Sequence, residues 1–86
     1  MEENQSHGDQ TDFPLKGLYE AWIAEDLDYI QFINSENKVF QEIREAHHRE
    51  PDIVVFCMEF LFENTKQIKF LKGRIEDVRE RIKTLS

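Results

Sequence analysis

Apolar residues fall into two long helical patterns divided by one turn signal. In the second half, Val54, Cys57, Leu61, Asn64, Ile68, Leu71, Ile75, Val78, Ile82 and Leu85 recur at alternating steps of three and four. That spacing keeps one stripe of a helix turned toward a partner, and with nine of the ten apolar it reads as a heptad seam. In the first half, a projection at about 100° per residue gathers Leu15, Leu18, Tyr19, Trp22, Tyr29, Ile30, Ile33 and Phe40 into one sector centred on Leu15. Between the halves stands "HHREPDI". Its Pro51 pushes Glu50 out of the helical region and suits the first position of a new helix, and Asp52 is favourable at that helix's positive end.

These patterns predict an all-α antiparallel hairpin, with helix one over about residues 13–48 and helix two over about 51–85. Residues 1–11 carry no apolar side chain beyond Met1 and are expected to form a disordered polar tail. Helix one should start at "TDFP", with Thr11 or Asp12 as its cap and Pro14 in its first turn. "NSENK", residues 34–38, is rich in side chains that compete with helical hydrogen bonds, so a kink or short break is expected there.

The run from Ile53 to Phe62 contains Glu59 as its only charge, more apolar surface than a seam uses. Val55, Met58 and Phe62 form a second stripe beside the seam, Phe56 and Phe60 lie on its outer sides, and Phe70 is the next outward aromatic. One partner helix cannot cover them all. Two hairpins meeting as a homodimeric four-helix bundle would, which makes Val55, Phe56, Met58, Phe60, Phe62 and Phe70 the candidate protein interface.

Polar residues inside the patterns set the expected register. Asp26 projects into the apolar sector of helix one, and counting back across a hinge near residues 49–50 puts it level with Lys72 to Arg74, a structural ion pair. By the same count Asn64 falls opposite Asn37, a polar pair of the kind that fixes alignment. Charge favours the same fold. Residues 1–63 hold 15 acidic and 4 basic groups (−11), whereas 64–86 hold 3 acidic and 7 basic (+4), so the halves attract.

The total of −7 argues against binding nucleic acid or an anionic membrane, both of which need a basic footprint. No apolar run reaches the ~20 residues of a membrane span, and a single cysteine, Cys57, fits a reducing, cytoplasmic setting as a small core residue. Chemistry is sparse. Glu45-x-x-His48 has the spacing of two metal ligands on one helical face, but beside the Pro51 hinge instead of mid-bundle. Glu25-x-x-Asp28 and Glu42-x-x-Glu45 share a face without a matching acidic pair opposite. There is no Gly-rich phosphate loop and no nucleophile–base constellation, so no cofactor is expected. The sequence therefore points to a non-enzymatic interaction module, an adaptor or regulator, whose partners are itself and another protein. The alternatives are an acidic mimic of nucleic acid that occupies a nucleic-acid-binding protein, and a metal-dependent helical enzyme built on Glu45 and His48.

Overall fold

The computed structural model describes the backbone of residues 8–85 and the side chains of residues 14–85. It is a two-helix antiparallel hairpin, α1 over Gly8–Ala46 and α2 over Pro51–Lys83, joined by the turn 47–50. The turn follows from its residues. Glu50 is extended (φ −111°, ψ 96°), as the residue before a proline must be, and Pro51 then opens α2 where a missing N–H costs nothing. The Glu50 carbonyl accepts from the amides of Ile53 and Val54, both at 3.1 Å, which starts the helical ladder. At the far end the Thr84 hydroxyl donates to the Arg81 carbonyl at 2.7 Å.

Two features of α1 differ from expectation. α1 begins at Gly8, ahead of Asp12, so Pro14 lies within the helix and leaves one carbonyl a turn earlier without its usual donor. Residues 1–7 of the expected tail lie outside the described residues. α1 also runs without a break through residues 34–38. The amide of Asn37 is engaged across the seam by Asn64, so it does not compete with its own backbone.

The core is a strip along the helix contact. Ile30, Ile33, Leu71 and Ile75 form its centre, with Ile23 and Ile68 against them, and Cys57 and Val78 are buried nearer the two ends. All ten seam positions of the second half are buried or half-buried. In α1 the outcome is different: Ile23, Asp26, Ile30, Ile33, Asn37 and Phe40 face α2, whereas Leu18, Trp22 and Tyr29 are exposed. The apolar arc of α1 is wider than one neighbour can cover. Asp26 and Asn37 need polar partners, and pairing them turns Ile23 inward and Trp22 outward.

The molecule measures 67 × 23 × 13 Å, two helices wide and one helix thick. Neither described helix is long and apolar enough to cross a membrane.

Candidate protein interface

Two polar rungs fix how the hairpin presents its sides. Asp26 is only 4 % exposed, and Arg74 meets it with both arms of the fork: Nε donates to Oδ2 at 2.9 Å and a terminal nitrogen donates to Oδ1 at 2.7 Å. Hydrogen bonding to Asp26 raises the Arg74 pKa above its ordinary value, with the carboxylate charge adding to it and desolvation opposing. The guanidinium also lies over two rings, 5.4 Å from the centroid of Trp22 and 5.5 Å from that of Phe70. Lys72, the other cation at this level, instead lines a shallow recess on the opposite side with Leu27, Ile75, Glu76 and Arg79. On the second rung Asn64 donates to Asn37 Oδ1 at 2.9 Å and to Glu36 Oε1 at 3.4 Å.

With the rungs as reference, the exposed apolar residues sort onto two broad faces. In α1, positions 18, 22, 25, 29, 32, 36, 39 and 43 repeat in steps of four and three, just outside the seam. Six of the eight are apolar and exposed: Leu18, Trp22, Tyr29, Phe32, Val39 and Ile43; Glu25 and Glu36 interrupt them. In α2 the corresponding flank carries Phe56, Phe60, Phe70 and Arg74.

Contacts between the helices show that these flanks form one side of the hairpin. Arg74 bridges Trp22 and Phe70, Glu36 reaches Asn64, and Phe40 stacks on Phe60 at 4.8 Å between centroids and meets Phe56 edge-on at 6.4 Å. Tyr29 and Phe32 continue the surface with centroids 6.3 Å apart. An open recess of about 350 Å³ lies within it, lined by Phe32, Ser35, Glu36, Val39 and Phe40. We refer to this side as the aromatic face.

The reverse face is different. Val55, Met58 and Phe62 are exposed there near the turn, with Lys66 over the Phe62 ring at 5.0 Å. Farther along, Leu27 sits among Lys72, Glu76 and Arg79. The six residues singled out in helix two are therefore all exposed, but three belong to each face.

The larger part of the aromatic face is contributed by α1. Phe32, Val39 and Ile43 were not expected in an interface, and Leu18, Trp22 and Tyr29 were expected in the seam. Their signal is the second three-and-four repeat, which becomes legible once Asp26 and Asn37 are taken as seam positions.

The metal-spaced residues engage locally. His48 Nδ1 donates to the Glu45 carbonyl at 3.0 Å, and His47 Nδ1 lies 3.1 Å from a Glu50 carboxylate oxygen, both within the turn region. Among the described residues no three His, Cys, Asp or Glu side chains converge as a ligand set. Cys57, at 0 % exposure, is packed in the seam with a free thiol. The ion pair that joins the helices among the described residues is Asp26–Arg74; Lys66–Glu63 and Lys83–Glu80 are local pairs within α2. In comparisons with known protein families, curated proteins and solved structures, the chain matches none.

Proposed function

We propose that the chain is a non-enzymatic interaction module, an adaptor or regulator, that works by presenting the aromatic face to another protein chain. The observation that carries this reading is the number of apolar side chains on that face: nine exposed ones from two helices lie on one side, from Leu18 to Ile43 and from Phe56 to Phe70, with Glu25, Glu36 and Glu63 among them. Scattered surface apolar residues are ordinary, but a face that gathers nine of them marks an interaction site. Its composition fits too. Trp, Tyr, Phe and an Arg held between rings are the residue types that dominate the binding energy of protein interfaces. A cytoplasmic, reducing setting accords with a single cysteine used for packing.

A photoreactive phenylalanine analogue at Phe32 or Phe70 tests the reading, with the same analogue at Asp28 and Lys69 as controls. In extract of the native cell, irradiation should join the first two positions to a protein chain and leave the controls unjoined. Equal labelling from all four positions, or none, would mean that the face is not a docking surface.

A further inference from the structure

We infer that the occupant of the aromatic face is a second copy of the chain, laid face to face with turn over turn to close a four-helix bundle. This rests on the aromatic face being an interaction surface and names what covers it. Three observations lead to it.

The first is width. The face has an inner row beside the groove between the helices (Trp22, Tyr29, Ile43, Phe60) and an outer row farther out (Leu18, Phe32, Val39, Phe56, Phe70). A single helix, about 10–12 Å across with its side chains, would fill the groove and leave the outer row wet. The hairpin is 23 Å wide, so the covering object must be a layer of two helices.

The second is area. Nine side chains that each leave roughly 100 Å² in water offer about 900 Å², close to the ~800 Å² per partner of a standard interface.

The third is register. Counting outward from the turn, Ile43 is level with Phe56, Val39 with Phe60, and Tyr29 and Phe32 with Phe70, in the alignment that Asn37–Asn64 and Asp26–Arg74 fix. A two-fold axis along the rod lays α1 over the partner's α2, so these apolar levels meet their own complements, while Leu18 and Trp22 lie level with Asp77 and Arg81. Reversing the rods would set Phe56 and Phe60 against Arg74, Asp77 and Arg81, the charged stretch of the same flank of α2. The chosen arrangement has two unfavourable levels, where Glu36 and Glu63, and Glu25 and Asp77, of both copies come together. In it Val55, Met58 and Phe62 stay outside, so the dimer uses the opposite side of α2 from that stripe.

Sedimentation equilibrium of the full chain tests this. Wild type should reach twice the 10.3 kDa monomer mass as concentration rises. Phe32→Glu with Phe70→Glu should weaken the dimer by ~100-fold or more with helix content retained, since both residues are exposed in the single hairpin (56 % and 63 %). Val55→Asp with Phe62→Asp should leave it within a few-fold of wild type. Spin labels at His48, in a Cys57→Ala background, should lie within about two helix diameters of each other.

Wild type that stays monomeric at every concentration would overturn the second copy, and photo-crosslinking from Phe32 to a different protein would then leave the interaction reading standing. A dimer that the Val55/Phe62 variant dissociates, or a label separation near the 67 Å rod length, would overturn the interface or its direction.

Discussion

Asp26 and Arg74 show how one buried charge shapes this molecule. A carboxylate at 4 % exposure has to be matched, and Arg74 matches it through two parallel hydrogen bonds while its flat guanidinium lies over Trp22 and Phe70. Arg74→Met should therefore lower the melting temperature by on the order of 10 °C, because it strands the carboxylate. Adding Asp26→Leu to that variant should restore most of the loss. Thermal denaturation of the two variants decides it: if the double variant melts no higher than Arg74→Met, the cost lies in lost ring packing and not in the stranded charge. Alkali should not imitate the mutation. The Arg74 pKa is raised, so the pair's contribution is full below arginine's ordinary value and is lost only as the pH rises through the raised one. The position of Asp26 in an apolar sector was legible in the sequence. The choice of Arg74 over Lys72 was not, because it depends on which side of the seam each cation leaves α2.

At the scale of the elements, the two helices, their turn and their alignment could be read from spacing alone. Pro51 after Glu50 marks the turn, and Asn37 with Asn64 marks the register. What spacing concealed was the rotation of α1. Its apolar arc from Ile23 to Phe32 is wide enough for two neighbours, and apolarity does not say which half meets α2; the polar rungs do. The break expected at residues 34–38 failed for the same reason, since Asn37 finds its partner across the seam. Replacing Asn37 and Asn64 together by Leu should raise the melting temperature by about 5 °C, as an apolar rung is more stable than a polar one. It should also remove one of the two alignment constraints, so sedimentation velocity at concentrations where wild type is expected to be dimeric should show further species beside the dimer. A variant that melts lower, with a single species, would mean that the asparagines stabilise the fold and do not set its register.

At the scale of the whole molecule, a hairpin one helix thick cannot cover the apolar surface that its sequence supplies. The excess was legible, but its location was only half so. The contiguous run in α2 draws attention to Val55, Met58 and Phe62, whereas the larger share is spread along α1 in single residues three and four apart. Only packing against α2 shows that those residues and Phe56, Phe60 and Phe70 share one side. The central claim is that this side is covered when the protein works, and Trp22, the one tryptophan, reports on it directly because it is 41 % exposed in the single hairpin. Acrylamide quenching of its fluorescence, followed over a concentration range in which sedimentation shows association, is the most direct test. Quenching should fall and the emission shift to the blue as copies associate; a Trp22 as accessible in the associated protein as in dilute solution would contradict the account.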